Sequence, residues 1–575
     1  MRLKKLQVKN YRGLNGEDNV IEFDGVDIIF LIGQNNNGKS TFLQAYNMFT
    51  QSKAIATVED FFNKNSSNPI EIFAEFIVED SDKGDSILEK GDPNWIDKWV
   101  NDNKCVKIMK KWTSPGKAAE KMTFDPKEKQ EYIPGGFGGF DTILQKYAPT
   151  PIIISAISSP EDLEAQINKI ITDNHIKKLE KEHKDKYDKV IKDLIDLKDE
   201  ITNSDDINNI NEKMNYMFEK IFPKLKVEVY TVPDSGIDIT KTLKSTHGFK
   251  VNDNKLGLEY CDLKRNGNGV IRQALFSFLA TINTGNNSNK KDYLILFEEP
   301  ELYLHPEATF ALREQLYSLV KDSPYQILCA THSPLMIDTS KQHASLVRLV
   351  KNDEAITRTY QVNFDLFEGE EKDYLQMINR FNPHICEAFY ADEVVLVEGD
   401  TEAIIYRELI SRYYSDERNI FILNTGSKAN IVFYQKILTH FGIKHVIVHD
   451  VDSETYIDKK GRVKTNSMWP VNNAIWEQIE KSNEQCQNIA RRYVHFRNFE
   501  DAHNYNYNKK LGKPLSAFNF AKSITLESDE KCIEFLKDLF GEQKINHTPE
   551  YIEKFIQIEQ VCIKEVVVEL EATIK

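Results

Sequence analysis

The sequence has few cysteines, no long apolar segment and no excess of positive charge, and each absence excludes a class of protein. Its seven cysteines contain no C-x-x-C pair, which argues against a disulfide framework or a zinc cage and is typical of a reducing compartment. No stretch approaches the roughly 20 apolar residues of a transmembrane helix. Residues 1–5 lead into a strand pattern and not into a signal peptide. We therefore expect a cytoplasmic protein with no membrane partner.

The charge balance is acidic, with 74 lysine and arginine residues against 89 aspartate and glutamate residues and a net charge of −15. Because phosphate affinity comes mainly from lysine and arginine, this balance excludes a protein that binds nucleic acid over its whole surface. Contact with nucleic acid would have to come from local basic segments such as residues 491–497 and 509–513. The 575 residues, 41% of them hydrophobic, suffice for roughly three or four folded units.

An apolar strand at residues 27–32 leads directly into the phosphate-loop pattern G-x-x-x-x-G-K-S, and an amphipathic helical stretch follows. The glycines let the backbone wrap around a phosphate, the lysine reaches the terminal phosphates and the serine hydroxyl is a ligand for Mg²⁺. Arg12, in a turn after the first strand, is either a further phosphate contact or an ordinary turn arginine. The loop predicts an ATP site formed by Gly33, Asn35, Asn36, Asn37, Gly38, Lys39, Ser40 and Thr41.

Two later apolar strands end in polar residues that would complete an ATPase site. Residues 293–297 run into Glu298 and Glu299, and residues 327–330 run into a Thr-His pair that ends at His332. Parallel strands bring such residues to the sheet edge where a phosphate loop opens. We expect Glu298 to hold Mg²⁺ through water, Glu299 to polarise the attacking water and His332 to sense the γ-phosphate.

A glycine turn at residues 265–273, which contains Gly267 and Gly269, precedes an apolar helix. The turn alone is weak evidence, but its position before the acidic strand is that of the signature segment of ABC-type ATPases. In those enzymes this segment contacts the nucleotide held by a second subunit. The order predicts hydrolysis by two ATPase units face to face, and hence a homo-oligomer, either a dimer or a tetramer.

These segments resemble the ATPase of the OLD (overcoming lysogenization defect) nucleases, which are relatives of SMC and RecF proteins. The resemblance is carried by Lys39 with its asparagine-rich loop and by the segments 297–306 and 331–334. Two positions depart from the commoner ABC pattern. Asn36 replaces a frequent glycine, which is tolerable because asparagine enters the left-handed region readily. Glu298 replaces a frequent aspartate, which keeps the charge but lengthens the reach.

A second group of acids belongs to a new βα pattern that begins near residue 393. One strand ends in Glu398, Asp400 and Glu402, and a later strand ends in Asp450 and Asp452. Gathering four or more carboxylates at one sheet edge is electrostatically costly, and hard, oxygen-seeking cations relieve that cost. The alternative is that these acids are exposed loop residues that cap helices and face water.

This E-G-D and D-x-D arrangement resembles a Toprim domain, the metal site of topoisomerases, primases and OLD nucleases. Glu500 and Asp501 match the late acidic position of OLD-type Toprim domains, and Lys513 is the lysine we select to neutralise charge on the scissile phosphate. The alternative for Lys513 is an ordinary surface lysine. The resemblance implies two metal ions, the first bound by Glu398, Asp450 and Asp452 and the second assisted by Asp400 and Glu402.

The predicted fold class is α/β: an ABC-type P-loop ATPase with an inserted helical hairpin arm, followed by a Rossmann-like Toprim domain and a helical tail. We expect the ATPase at residues 1–375 with the arm at about 160–222, the Toprim domain at 385–515 and the tail at 516–575. The charged arm would either face water or pack on a second subunit.

The resemblance implies an ATP-hydrolysing, metal-dependent endonuclease that cleaves double-stranded DNA, with ATP and Mg²⁺ or Mn²⁺ as cofactors. Because the family includes the nuclease subunit of Gabija systems and effectors of some retrons, it also implies phage defence and a partner protein or nucleic acid, such as a reverse transcriptase with its RNA and DNA. The alternative is an SMC- or RecF-like DNA-binding ATPase in repair with a non-catalytic Toprim module. A primase-like nucleotidyl transferase is a weaker alternative, since the sequence has no zinc-ligand spacing. A topoisomerase is weaker still, since no motif in the sequence identifies a catalytic tyrosine.

Overall fold

A computed structural model describes residues 1–79, 98–134, 147–156, 205–231, 247–253, 261–262, 267–282 and, with short gaps, 292–557. The gaps fall at residues 322, 353, 365, 368, 370, 374–376, 378–382, 415–417, 459, 529, 542–544 and 555. The chain divides into two units, Met1–Asp365 and Leu366–Lys575. Among the described helices, none combines the length and the hydrophobicity that crossing a membrane requires.

The described part of the first unit is rich in β-structure. Its α-helices are Lys39–Thr50, Asp205–Phe218, Asn268–Ile282 and Pro306–Val320. Its strands, in chain order, are β1 (Arg2–Lys9), β2 (Val20–Glu22), β3 (Ile28–Ile32), β4 (Ile70–Ile77), β5 (Cys105–Trp112), β6 (Glu120–Phe124), β7 (Tyr132–Pro134), β8 (Thr150–Ile154), β9 (Leu225–Thr231), β10 (His247–Asp253), β11 (Cys261–Asp262), β12 (Tyr293–Glu298), β13 (Tyr325–Ala330), β14 (Leu346–Lys351) and β15 (Thr357–Gln361).

A six-stranded sheet with the order β15-β14-β3-β13-β12-β8 forms the centre of this unit. All its neighbouring pairs are parallel except β14 with β15. All five residues of β3 and all six of β13 are buried, as expected for strands covered on both faces. Because β3, β12 and β13 run in the same direction, the residues that follow them meet at one edge of the sheet.

An antiparallel sheet with the order β2-β1-β4-β5-β6-β7 shares a hydrophobic core with the central sheet. The helix Lys39–Thr50 contributes Phe42, Tyr46 and Phe49 to this core. The alternating burial of β4 shows one face turned to the core and one turned away. The phosphate-loop helix is therefore held in place by a hydrophobic core that includes residues of both sheets.

The described half of the predicted arm is the helix Asp205–Phe218. Its Met214 and Phe218 are buried, and its Asn211 and Asn215 exchange hydrogen bonds with the backbone of β9 at 2.7–3.2 Å. This helix thus packs within its own unit. The first helix of the predicted hairpin lies outside the described residues, and the hairpin arm stays a prediction.

The second unit contains an α/β fold built on a four-stranded parallel sheet with the order β17-β16-β18-β21. Its described strands are β16 (Glu393–Val397), β17 (Ile420–Asn424), β18 (Lys444–Asp450), β19 (Thr455–Ile457), β20 (Val463–Thr465) and β21 (Ala490–His495). Its described α-helices are Asp400–Tyr413, Ile431–His440, Val471–Gln485, Phe499–His503, Gly512–Ser523 and Lys531–Phe540.

The helices after β21 belong to the same hydrophobic core as the parallel sheet. Ala517 and Ala521 of Gly512–Ser523, and Phe535 and Leu536 of Lys531–Phe540, pack in one cluster with sheet residues such as Val395. The region that the sequence marks as a separate helical tail is therefore, as far as residue 540, part of this fold. Residues 558–575 lie outside the described part.

Candidate functional sites

The phosphate loop between β3 and the helix Lys39–Thr50 adopts backbone angles that its residue types permit. Gly33 has φ 135°, and a Cβ there would lie 2.4 Å from the carbonyl oxygen of Leu349, so no other residue fits. Gly38 has φ 92° and directly precedes the helix. Asn36 has φ 63°, which confirms that this asparagine occupies the left-handed region.

Lys39 is buried within its own loop. Its Nζ donates hydrogen bonds of 2.7 Å to the carbonyl oxygens of Gly33 and Gln34. Burial lowers the pKa of Lys39 to about 8, while the charges of Glu299 and Glu301 act in the opposite direction. The first predicted ATPase acid after β12 is therefore an electrostatic neighbour of the phosphate-loop lysine.

The acids after β12 and the histidine after β13 meet at this edge. His332 Nε2 lies 3.8 Å from Glu299 Oε1, and Glu299 has φ 44°. Burial, together with the charge of Lys39, lowers the pKa of His332 to about 4, so the imidazole is neutral at neutral pH. Glu298 ends β12 and is partly buried.

Glu301 is a further member of the group that the sequence analysis gave no role. It accepts hydrogen bonds of 2.8 Å from the Thr331 hydroxyl and the His332 backbone N–H, and burial raises its pKa. It therefore ties the end of β13 to the loop after β12. The signal in the sequence was its place in the same acidic run as Glu299.

Arg12 and Gly269, one of the two predicted signature glycines, have clear structural contacts. Arg12 pairs with Asp60 at 2.8 Å and donates a hydrogen bond to Gln44 of the phosphate-loop helix. A Cβ on Gly269 would lie 2.9 Å from the carbonyl oxygen of Tyr303, so this glycine allows the close approach of two backbones. Among the described residues, none outside its chain neighbours lies within 4 Å of a Cβ placed on Gly267. Their predicted contacts with nucleotide stay predictions.

In the second unit, Glu398, Glu402 and Asp450 form a buried acidic centre at the carboxyl edge of the sheet. Glu398 Oε1 accepts a 2.7 Å hydrogen bond from the Asp450 backbone N–H, which joins the ends of β16 and β18. Burial raises the pKa of all three acids, to about 8 for Glu398 and about 7 for Glu402 and Asp450. The charge of Asp450 further raises the pKa of both glutamates. These three acids are not the exposed loop residues of the alternative hypothesis.

The donor chemistry of this centre fits a divalent cation. Asp450 Oδ1 is buried, lies 3.4 Å from His495 Nδ1 and has no hydrogen-bond partner in the described part of the chain. Burial raises the pKa of these carboxyl groups because it disfavours their charged form, and a hard cation would stabilise that charged form. The described residues nevertheless contain no group of three or more His, Cys, Asp or Glu side chains already at metal-binding spacing.

Lys428 is a buried cation at this centre that the sequence analysis missed. Its side chain is 2% exposed, and its Nζ donates to Asp452 Oδ2 at 2.7 Å and to the backbone carbonyl oxygen of Asp450. Asp452 has φ 63°, and its backbone N–H bonds Arg497 O at 2.8 Å. The lysine thus anchors the D-x-D loop. It directly follows the strand-end turn 424–427, and this position between the two acidic strand ends was the available signal.

The other predicted residues of the second site lie around this centre. Asp400 is exposed and accepts a 2.7 Å hydrogen bond from Asn424. The charge of Glu500 raises the pKa of Asp450 and Glu402, so Glu500 is an electrostatic neighbour of both. Asp501 is exposed in the first turn of Phe499–His503. The roles predicted for these acids stay untested.

The basic residues predicted to contact DNA differ in their exposure. Lys513 is exposed near the start of Gly512–Ser523, and its predicted role stays a prediction. The interpretation of residues 491–497 as a DNA-binding segment is wrong for its first two arginines. Arg492 is 1% exposed and donates to His547 O at 2.8 Å, while Arg491 pairs with Asp538 and Glu393. These arginines are committed to the fold because the segments that pack beside the edge strand β21 accept their hydrogen bonds and ion pairs.

Comparison with known proteins divides the chain in the same order. A model of the AAA ATPase domain family matches residues 1–337, and a model of the TOPRIM domain of overcoming lysogenization defect protein-like proteins matches residues 389–452.

Three relatives illustrate the similarity. The Old nuclease of Escherichia phage P2 is 24% identical over 469 residues, which cover 79% of this chain and 77% of that protein. The OLD nuclease of Thermus scotoductus is 26% identical over 33% of this chain and 34% of its own length. Endonuclease GajA of Bacillus cereus strain VD045 is 26% identical over 33% of this chain and 31% of its own length. The chain thus spans about a third of the last two proteins.

Proposed function

Because the chain belongs to the AAA ATPase domain family over residues 1–337 and carries a Toprim domain of the overcoming lysogenization defect type, we propose that it is an ATP-regulated, divalent-metal-dependent DNA endonuclease. The observation that carries this proposal is the buried acidic centre of Glu398, Glu402 and Asp450. The names of its relatives, two of them nucleases and one an endonuclease, support the same activity.

In this proposal Glu398 and Asp450 hold Mg²⁺ or Mn²⁺, with Asp452 beside them and Glu402, Asp400, Glu500 and Asp501 as ligands available to a second ion. When bound, the metal supplies an activated water and stabilises the oxygens of the reacting phosphodiester. The protein's own part is orientation. The Glu398–Asp450 hydrogen bond holds the two strand ends together, and Lys428 holds the D-x-D loop in its left-handed turn.

The first unit would supply regulation through nucleotide. Lys39 and the loop amides bind the phosphates, Ser40 and Glu298 hold the magnesium ion, and Glu299 orients the attacking water. The neutral imidazole of His332, 3.8 Å from Glu299, is suited to donate or accept one hydrogen bond without adding charge. We further propose that two or more copies associate through the ATPase, with Gly267 and Gly269 facing the partner's nucleotide.

The biological role that we propose is phage defence, since the resemblance of both domains to OLD nucleases points to it. The substrate would be double-stranded DNA. A partner protein or nucleic acid that restrains or triggers cleavage fits the same role.

The test is cleavage of supercoiled plasmid by purified protein with Mg²⁺ or Mn²⁺. Glu398→Gln keeps the side-chain size but removes the carboxylate, so we expect nicking and linearisation to fall by at least about 100-fold. Glu480→Gln, an exposed position on the helix Val471–Gln485, is the matched control and should cleave like the wild type.

Cleavage that persists in Glu398→Gln, or that continues unchanged in excess EDTA, would overturn the proposed metal-dependent nuclease. The proposed nuclease would be established if cleavage requires metal, is lost in Glu398→Gln and is unchanged in Glu480→Gln.

A further inference from the structure

A short β-hairpin emerges directly after the D-x-D loop of the second unit. Strands β19 and β20 pair antiparallel, with Tyr456 opposite Lys464. The chain from Asp452 to the first residue of β19 is three residues, so the hairpin starts within about 11 Å of that aspartate. We call this segment, residues 455–465, the basic hairpin.

The basic hairpin exposes side chains that a folded protein normally covers or lacks. Tyr456 is 51% exposed and Val463 is 69% exposed, and all three residues of β20 are exposed. A two-stranded hairpin without a packed face is marginally stable in water. Tyr456 and Val463 give this ribbon apolar side chains that are open to contact.

Local hydrogen bonds nevertheless hold the ribbon in one shape. The Asp458 carboxylate accepts N–H groups from Lys460 at 2.8 Å and Arg462 at 3.0 Å. At the base, the Asn466 N–H bonds the carbonyl oxygen of Glu454 at 2.8 Å. The Asp458 carboxylate is thus committed to the turn, while the side chains of β20 stay exposed.

The charge of that rim is positive in a chain whose net charge is −15. Lys460, Arg462 and Lys464 are exposed, and the single carboxylate of Asp458 lies 3.4 Å from Arg462 and 3.6 Å from Lys464. The sequence of the basic hairpin contains four lysine and arginine residues and one aspartate, so this acid cannot neutralise the segment. A two-stranded ribbon is narrow enough for the major groove of duplex DNA, and lysine and arginine on its rim match the phosphate backbone.

We propose that the basic hairpin is a DNA contact that holds the phosphate backbone of a duplex beside the acidic centre. This inference rests on the proposed nuclease function and adds the substrate-binding element to it. Tyr456 contributes an apolar contact, while Arg462 and Lys464 contribute phosphate contacts. A metal at the acidic centre would contact only the reacting phosphate, and the basic hairpin supplies cations for the neighbouring phosphates.

The test is binding of a fluorescent 30-base-pair duplex to the Glu398→Gln protein with Ca²⁺, measured by anisotropy at several salt concentrations. Arg462→Glu/Lys464→Glu should weaken binding by at least about tenfold near 0.1 M salt. The plot of log binding constant against log salt concentration has a negative slope. Its magnitude should decrease by about 2, since two phosphate contacts are lost. The control with the same charge change is Lys481→Glu/Lys522→Glu, at exposed positions on two other helices of the unit.

A normal affinity and salt slope in Arg462→Glu/Lys464→Glu, or an equal loss in the control, would overturn the hairpin proposal. The substitutions lie outside the hydrophobic core, and circular dichroism checks folding. Tyr456→Ala, which keeps all charges, should weaken binding without changing the slope. A wild-type protein that binds duplex through the hairpin but never cleaves it would contradict the nuclease function alone.

Discussion

At the scale of single residues, Lys428 opposes the effect of burial on two acids of the second site. Its positive charge lowers the pKa of Glu398 and Asp450, against the larger raising effect of burial on each. A carboxylic acid must lose its proton to bind a divalent cation. The buried amine therefore keeps these acids closer to the ionised state at neutral pH than burial alone would allow.

We predict that Lys428→Met moves the acid limb of metal-dependent cleavage to higher pH by about one unit, because the two acids then keep their protons to higher pH. At pH 6 this corresponds to about tenfold less activity. The measurement is a pH–rate profile with Mn²⁺. Lys428→Arg, which keeps the charge, should retain the wild-type limb, and exposed Lys481→Met is the control. An unshifted profile in Lys428→Met would show that the lysine does not act electrostatically.

At the scale of secondary-structure elements, the helix Lys531–Phe540 is locked to the parallel sheet by buried charge. Asp538, whose side chain is fully buried, pairs with Arg491 of β21 and accepts the backbone N–H of Ile545. Arg491 also lies 3.4 Å from Glu393 of β16. A buried network of this kind is costly when one member is removed, because the remaining charge is left without its partner.

Asp538→Asn should destabilise the second unit by about 3 kcal/mol, since it breaks a buried ion pair while keeping the shape of the side chain. Chemical denaturation of the whole chain, followed by a probe in this unit, measures the loss. Glu553→Gln, at an exposed position, should change stability by less than about 0.5 kcal/mol. If the two variants unfold alike, the helix is not held by this network.

At the scale of the whole molecule, the chain has two units whose hydrophobic cores are separate. The phosphate loop is joined to the first core through its helix, and the acidic centre follows strands β16 and β18, which contribute Val397 and Val448 to the second core. Nucleotide that binds only the folded first unit must stabilise that unit by mass action.

ATP with Mg²⁺ at about 100 times its dissociation constant should stabilise the first unit by about 2.7 kcal/mol. Lys39→Ala should remove this stabilisation and lower ATP hydrolysis by at least about tenfold, because the variant lacks the buried amine that we propose as the contact to the terminal phosphates. Thermal unfolding with and without nucleotide and a phosphate-release assay measure the two effects. Exposed Lys53→Ala is the control. Wild-type hydrolysis in Lys39→Ala would refute the ATP site.

Local sequence determined the features that depend on residues adjacent in the chain. The pattern from Gly33 to Ser40 dictates a phosphate loop because only such residues permit its backbone angles, and apolar runs that end in Glu298 or Glu398 dictate strands with acids at their ends. Both domain types and their order were predictable on this basis, and the family comparisons confirm them.

Tertiary structure alone decided which of many charged residues are buried together. Lys428 and Lys513 have equal chemistry in the sequence, but the packing of the helix after β17 buries the first among the acids and leaves the second exposed. Arg491 and Arg492 look like a DNA-binding pair, but the first pairs with Asp538 of the helix Lys531–Phe540 and the second is buried against His547. The reason is that burial and ion pairing depend on contacts between residues distant in the chain, which no local pattern of residues encodes.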